Sequence, residues 1–390
     1  MPRSLTPLLA ALLVMYSVFQ MLIGVVAPLA GELALTPFQL SLVFTVTSVT
    51  ITVASLLWGL LFDAAGPRPV LFAGLLLCVA GPAGYAAAVA FSLDETLTPD
   101  VAFALVLLFR SVLFGAGLAA VLVTALAVAG LSTHGETART RAIGFVGAAQ
   151  SLGTVIGPVV GGALAVASVW LPLYVAPVVA LLLALLVLVT IKPLAAQEGE
   201  PVQAQPLQLV PAFGTGFFLH VSLGMAQVVV VYLSSERLRE STGSAEGVLF
   251  ASAIGLVLTQ GLLVPLLKWS PVRLMRIGSP VSVVGYALLA VAPSSALMAL
   301  AFLVVAVGVG LALTGFAAAA SLGVGPRHQG LVAGLVTTTS GLTFIVAPML
   351  SALLYEVGPL APVLAAALAA LVATGLSFVP VTPQVSRPVG

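Results

Sequence analysis

The chain has 390 residues, of which 61% are apolar and only 6% are charged, and its mean hydropathy is +1.24. This composition excludes a soluble globular protein and predicts a polytopic membrane protein. The net charge of +1 argues against a nucleic-acid partner, which would need a basic surface. The single cysteine, Cys78, lies in an apolar run and excludes an internal disulfide.

Short polar clusters divide the chain into twelve apolar segments. At about 20 to 25 residues per span, a chain of this length accommodates about twelve membrane helices. We predict helices at residues 5–29, 38–62, 69–91, 101–130, 142–166, 170–191, 207–233, 245–267, 277–293, 295–322, 330–355 and 361–380. The polar linker 192–206 separates an N-terminal half, 1–191, from a C-terminal half, 207–390. The predicted fold class is an all-α polytopic membrane protein with two six-helix halves.

Loop charges predict the orientation. With both termini in the cytosol, ten Lys and Arg residues lie inside and only Arg237 and Arg239 lie outside. The first apolar run continues to about Pro28, which is the length of a membrane span and not of a cleaved signal sequence. We therefore expect a multi-pass protein of the inner (cytoplasmic) membrane with both termini cytosolic.

The two halves repeat one another. Residues 109–119 align without a gap with 302–312, so that Gly115 and Gly117 match Gly308 and Gly310. Residues 157–164 likewise align with 347–354, so that helix 5 corresponds to helix 11, and a weaker similarity relates helix 1 to helix 7. Matching helices six apart in the same orientation predict a parallel repeat about an axis along the membrane normal.

Helix 5 carries a stripe of small residues. Gly153, Gly157 and Gly161 recur every four residues, so another helix can approach backbone to backbone, and Pro158 bends the helix. Together with Gly162, the stretch resembles the G-x-x-x-G-P-x-x-G-G signature of helix 5 in the drug-efflux antiporters of the major facilitator superfamily. The resemblance implies a twelve-helix transporter fold with this stripe between the two halves. The alternative is generic packing of small residues in another membrane bundle.

The loop after helix 2 contains Gly59, Asp63, Gly66 and Arg68, which match the superfamily signature G-x-x-x-D-R-x-G-R-R except at two of its basic positions. A carboxylate at the end of helix 2 can accept hydrogen bonds from a nearby helix N-terminus or pair with Arg68. We expect such a contact to hold one of two conformations. The alternative is a turn with a solvated charge pair.

Arg110 is the charge nearest to the middle of a predicted span. It lies about 14 Å along helix 4 from Val101, close to the centre of a bilayer core about 30 Å thick. A guanidinium there should face the bundle interior and bind carbonyls, a carboxylate or substrate. Its repeat counterpart is Leu303, which favours a functional role over an architectural one. The superfamily's R-x-x-x-G-x-G, linked to proton transfer, is similar, but Gly115 and Gly117 come one residue late.

Hydrogen-bonding groups on three helices predict a central cavity. On helix 7, Gly216, His220, Gly224 and Gln227 share one face. Helices 1, 4, 7 and 10 are expected to line the cavity. The alternative for His220 is a neutral imidazole bonded to a backbone carbonyl. The further candidate contacts on helices 1 and 5 are Tyr16, Gln20 and Gln150.

The sequence contains no nucleophile–base set, phosphate loop or metal cluster, so we expect neither an enzyme nor a metal or other cofactor. No Asp or Glu lies near the middle of a predicted helix. The leading hypothesis is a monomeric secondary transporter that exports a small amphipathic organic compound by alternating access, with protons as the counter-substrate. The alternatives are a facilitator or importer of a small organic anion that pairs with Arg110, and a transporter-fold sensor or scaffold that does not transport.

Overall fold

The computed structural model describes residues 5–33, 35–94, 96–190, 206–233 and 242–379, and in these ranges the secondary structure is helical. A 3₁₀ turn, Pro326–His328, precedes the eleventh helix. The helices are α1 Leu5–Glu32, α2 Pro37–Ala65, α3 Pro67–Leu93, α4 Pro99–Leu131, α5 Glu136–Ala167, α6 Leu171–Thr190, α7 Pro206–Tyr232, α8 Thr242–Leu258 continued by Thr259–Leu263 and Val264–Leu267, α9 Pro271–Val291, α10 Ser295–Leu322, α11 Gln329–Val357 and α12 Ala361–Ser377.

Ten of these helices are long and apolar enough to cross a membrane, and α6 and α12 are shorter apolar helices. Large apolar side chains cover their outward faces, as a lipid environment requires. Examples of these exposed side chains are Leu57, Leu182, Leu266, Val291 and Leu368. The predicted all-α, multi-pass fold of twelve helices is confirmed.

Two helices begin earlier than the sequence pattern predicts. α5 begins at Glu136 instead of residue 142, and α9 begins at Pro271 instead of residue 277. Both first turns carry charged residues, Glu136 in α5 and Arg273 in α9, and the α9 turn is capped by Ser270, whose hydroxyl accepts a hydrogen bond from the backbone N–H of Arg273. A hydropathy criterion ends a helix where polarity rises, whereas a capped helix continues past the apolar region. The predicted linker 192–206 lies, except for its last residue, outside the described residues.

Equivalent glycines show how the two halves correspond. A Cβ on Gly117 of α4 would meet the backbone of Gly74 in α3, and a Cβ on Gly308 of α10 would meet the backbone of Gly278 in α9. The Cβ on Gly117 would also meet Cys78, and the Cβ on Gly308 would also meet Ser282; in each case this is the residue four positions after the glycine partner. Packing therefore equates Gly117 with Gly308, whereas the gapless alignment equates it with Gly310. The predicted repeat is present, but the alignment of α4 with α10 is wrong by two residues.

The two halves meet chiefly through two helix pairs, α2 with α11 and α5 with α8, and further contacts join α4 to α11 and α5 to α10. We name the end of the bundle where α1 begins and α12 ends the terminal face, and the other end the opposite face. α4 and α10 lie deep within the protein, and most of their side chains are buried. The contacts between the halves therefore decide which face gives access to the interior.

Candidate functional site

Asp63, in the last turn of α2, joins the two halves at the terminal face. Its Oδ1 accepts a hydrogen bond of 2.7 Å from the backbone N–H of Gly330, and its Oδ2 accepts one of 2.8 Å from that of Leu331. Both donors lie in the first turn of α11, where N–H groups lack partners within the helix and a negative charge is favoured. Arg68 is exposed and is not a hydrogen-bond partner of Asp63. Gly66 ends α2 at a φ of +86°, which favours glycine.

α2 and α11 lie backbone to backbone beside Asp63. A Cβ on Gly59 would lie 2.5 Å from the carbonyl oxygen of Gly330, and Gly334 meets the α2 backbone equally closely. Further into the bundle, the hydroxyl of Thr338 donates a hydrogen bond of 3.0 Å to the carbonyl of Thr52. This contact therefore closes the terminal face from its surface to mid-bundle.

Gln260 forms the corresponding contact between α8 and α5. It is 7% exposed, lies in the π-helical segment Thr259–Leu263, and its Oε1 accepts a hydrogen bond of 3.1 Å from the hydroxyl of Ser151. Cβ atoms on Gly144 and Gly147 would lie 2.9 Å from the carbonyl oxygen and 2.8 Å from the side-chain amide of Gln260, respectively. The sequence analysis missed this residue. The available signal was one amide in the apolar helix 8, which has to meet a polar group on a neighbouring helix.

The glycine stripe of α5 faces α1, inside the N-terminal half. A Cβ on Gly157 would lie 2.5 Å from the carbonyl oxygen of Ser17, and Gly153 and Gly161 meet Tyr16 and Met21 of α1. The resemblance implied a position between the halves, and for these three glycines that expectation is wrong. Glycines spaced four residues apart lie on one face of a helix and contact one neighbouring helix, which here is α1. α5 contacts α8 through a different face, nearer the N-terminus of α5.

The other predicted residues of α1 and α5 surround this stripe. Pro158 is exposed, and no atom lies within 4 Å of the position of a Cβ on Gly162, so neither contributes to the contact with α1. The side-chain amide of Gln150 donates a hydrogen bond of 2.9 Å to the hydroxyl of Tyr16. Gln20 packs its Cβ against Gly157. Tyr16 and Gln150 are thus brought together, at the level where Ser151 joins Gln260.

A cavity of about 430 Å³ lies between α7 and α11. From His220 it extends along α7 to Tyr232, about 18 Å at 1.5 Å per residue, and so approaches the opposite face. His220 donates through Nδ1 to the carbonyl of Gly216 at 2.8 Å, which leaves Nε2 as the free ring nitrogen. The cavity is lined by His220, Leu223, Gly224, Gln227, Val228, Val231, Tyr232, Thr343, Phe344, Ala347 and Pro348.

The lining differs from the expected one. It comes from α7 and α11, whereas helices 1, 4, 7 and 10 were expected, and Tyr16, Gln20, Gln150 and Arg110 do not take part. On α10, Phe316 instead fills the space against Gly216. The face of α7 was nevertheless informative, because three of its four residues line the cavity.

Arg110 is 1% exposed and lies inside the N-terminal half. Its Nη1 donates a hydrogen bond of 3.0 Å to the hydroxyl of Thr47 on α2. Its Cζ lies 5.9 Å and 5.3 Å from the ring centroids of Phe19 and Phe44. No partner for Nε or Nη2 lies among the residues that the structure describes. The guanidinium faces the bundle interior, as expected, but not the cavity.

A π-helical segment, Leu107–Leu113, surrounds Arg110. A π-turn accommodates one residue more than an α-turn, so it offsets an insertion without rotating the rest of the helix. Gly115 and Gly117 come one residue late after Arg110, and the π-segment lies just before them. The spacing that departs from the superfamily pattern is thus compensated by local geometry.

A bundle of twelve apolar helices, closed at one face by contacts between its halves and with an internal cavity extending toward the other face, defines a membrane transporter and not an enzyme. Residues 8–235, more than half of the chain, match the Major Facilitator Superfamily. The chain therefore belongs to that superfamily, whose members sit in the membrane and bind small-molecule substrates.

Solved structures share the fold across almost the whole chain. The human organic anion transporter MFSD10 (TETRAN) is 18% identical, with a TM-score of 0.75 over 96% of this chain and 99% of that one. A bacterial homologue of the iron transporter ferroportin, outward-facing, is 14% identical, with a TM-score of 0.77 over 96% and 98%. The transporter FucP in the outward conformation is 16% identical, with a TM-score of 0.73 over 95% and 97%. The comparison with curated protein sequences finds no match.

Proposed function

We propose that this protein is a secondary transporter that exports a small amphipathic organic compound by alternating access, in exchange for protons. The observation that carries the proposal is the cavity between α7 and α11, which extends toward one face while the other face is closed by Asp63 and Gln260. A site open to one side and closed to the other is what alternating access requires.

The cavity lining indicates the kind of substrate. Most of its side chains are apolar, and the hydrogen-bonding groups are few: His220, Gln227, Tyr232 and Thr343. A volume of about 430 Å³ is within the range of drug-sized ligand sites. Sugars need many paired donors and acceptors, which this wall does not supply. The lining therefore favours an amphipathic compound with one or two hydrogen-bonding groups.

The loop charges favour an orientation with the terminal face in the cytosol, in the inner membrane. With that orientation the structure is outward-facing, and Asp63 belongs to the cytosolic gate. In the exchange that we propose, His220 is the proton-carrying group of the cavity, because its Nε2 has no protein partner among the described residues. Substrate and proton would then compete for one side of the imidazole.

The alternative, transport of an organic anion paired with Arg110, has less support. Arg110 is 1% exposed and is absent from the cavity lining, so a substrate in this conformation does not reach it. MFSD10 is named an organic anion transporter, but at 18% identity that likeness shows the fold alone.

The test is efflux from proteoliposomes loaded with candidate amphipathic compounds, with and without a proton gradient. We expect His220→Leu to lower transport by at least about tenfold, since a lost hydrogen bond of about 1.4 kcal/mol corresponds to that factor. His134→Gln, which changes an exposed loop histidine, serves as the matched control. Export that continues unchanged after collapse of the gradient would contradict proton exchange. Normal transport by His220→Leu would remove the cavity from the proposal.

A further inference from the structure

Arg139, in the first turn of α5, reaches from the N-terminal half to the C-terminal half at the terminal face. Its Nη1 donates a hydrogen bond of 3.0 Å to the backbone carbonyl of Ser321, in the last turn of α10. Its Nη2 donates a longer bond of 3.4 Å to the carbonyl of Thr133, in the turn between α4 and α5. The half-buried guanidinium is therefore anchored in its own half while it holds the other.

The charge of Arg139 suits the helix end that it contacts. The carbonyl of Ser321 is one of the last four of α10, which have no partner within the helix, and the C-terminal end of a helix favours a cation. Asp63 forms the converse contact, because its carboxylate binds the N-terminal end of α11. The N-terminal half thus holds the end of α10 and the start of α11 by two opposite charges.

The turn between α10 and α11 is tied together by Gln329, which is buried. Its Oε1 accepts a hydrogen bond of 2.7 Å from the hydroxyl of Ser321, and its Nε2 donates to the carbonyls of Ser321 and Val324 at 2.8 and 3.2 Å. A Cβ on Gly130 of α4 would meet this side chain, so the turn also packs closely on the N-terminal half. We therefore expect the two helix ends to move as one unit when the halves part.

We propose that Arg139 is a positioning residue of the transport cycle, whose bond to the C-terminal end of α10 holds the terminal face closed together with Asp63. Both contacts act on one turn of the C-terminal half, so both are lost when that turn moves away. The inference holds whatever compound is transported, and in whichever direction. Arg141 offers a matched control, since it is exposed and its guanidinium lies 5.6 Å from the ring centroid of Phe145 on the same helix.

The first experiment measures the labelling rate of a cysteine in place of Ala317, a nearly buried residue of α10 beside a small space between the halves. The thiol is accessible when the terminal face opens, so its labelling rate follows the open fraction. Arg139→Gln should raise the rate about tenfold, which corresponds to about 1.4 kcal/mol, near the lower end for a hydrogen bond to a charged group. Arg139→Lys, which keeps the charge without the forked geometry, should raise it less. Arg141→Gln should leave it unchanged.

Equal labelling rates for the parent protein and Arg139→Gln would overturn the proposal. So would an equal acceleration by Arg141→Gln, because the effect would then belong to the loss of any positive charge at this face. The melting temperature of each variant is measured alongside. A lower melting temperature with an unchanged labelling rate would show that Arg139 only stabilises its own half. If Arg139→Gln does not fold, Arg139→Lys is compared with Arg141→Gln instead.

A second experiment tests the partnership with Asp63. Spin labels on cysteines at the exposed positions Ala65 and Arg327 give the ratio of open to closed molecules from their two distance populations. Because both contacts are lost on opening, their effects on this ratio should multiply, so Arg139→Gln should raise it about tenfold again in an Asp63→Asn protein. A ratio equal to that of Asp63→Asn alone would refute a separate contribution of Arg139 to closure.

Discussion

Asp63→Asn tests the gate at the terminal face most directly. The carboxylate accepts one hydrogen bond at each oxygen, from Gly330 and from Leu331. Asparagine keeps one acceptor but places an NH₂ group opposite the second backbone N–H, where it cannot accept. The substitution also removes the negative charge from the N-terminus of α11.

The energy follows from these two losses. A hydrogen bond to a charged group contributes about 1.5–3 kcal/mol, and a charge at a helix terminus about 0.3–1 kcal/mol. Because Asp63 is only half-buried, we take a value near the lower end, about 2 kcal/mol. That shifts the equilibrium between closed and open forms about thirtyfold. If the closed form outweighs the open one by about 100 to 1, the open fraction rises to about a quarter.

The assay is a distance measurement between spin labels on cysteines placed at Ala65 and Arg327, both exposed beside the contact. The native cysteine, Cys78, is fully buried and should not react. Asp63→Asn should add a longer-distance population. Asp100→Asn, at the exposed N-terminus of α4, should leave the distribution unchanged. A distribution for Asp63→Asn identical to that of the parent protein would refute the reasoning.

Two further substitutions test the other helix contacts. Gly157→Ala should lower the unfolding temperature, because its Cβ meets the backbone of Ser17 and overpacking costs about 1–3 kcal/mol, whereas Gly162→Ala, with open space around it, should be neutral or stabilising. Equal melting temperatures would show that the stripe tolerates a methyl group. Gln260→Leu should slow disulfide cross-linking between α5 and α8 without affecting α2 and α11, since it removes the bond to Ser151; equal slowing at both pairs would assign Gln260 a global role.

Most of the fold follows from apolar segment length. Twelve spans and two halves were predictable because each span must satisfy its own backbone hydrogen bonds within the bilayer, which leaves a strong hydropathy signal. The early starts of α5 and α9 were not, because a hydropathy criterion does not detect helical turns that carry charged residues, such as Glu136 in α5 and Arg273 in α9. The two-residue error in aligning α4 with α10 has another origin: both helices contain a Gly-x-Gly pair, and the sequence does not show which glycine of each pair meets the preceding helix.

The sequence predicted those parts of the site that depend on residues close together in the chain. The signature around Asp63 indicated a carboxylate available to a helix N-terminus, but not that the donor lies 267 residues later, at Gly330 in the first turn of α11. Helical periodicity gave the cavity face of α7, including His220 and Gln227. It could not give the α11 side or the pairing of Gln260 with Ser151, because those depend on how the halves dock.

The contact between α2 and α11 consists largely of bare backbone. Side chains that interlock must leave their rotamers when two surfaces part and recover them when they meet again, and each such reordering carries an entropic cost. Glycines such as Gly59, Gly330 and Gly334 have no rotamers to lose. The two helices are therefore held together mainly by the hydrogen bonds of Asp63 and of Thr338, and the barrier to separation should be concentrated at these bonds, while the glycine contacts should add little to it.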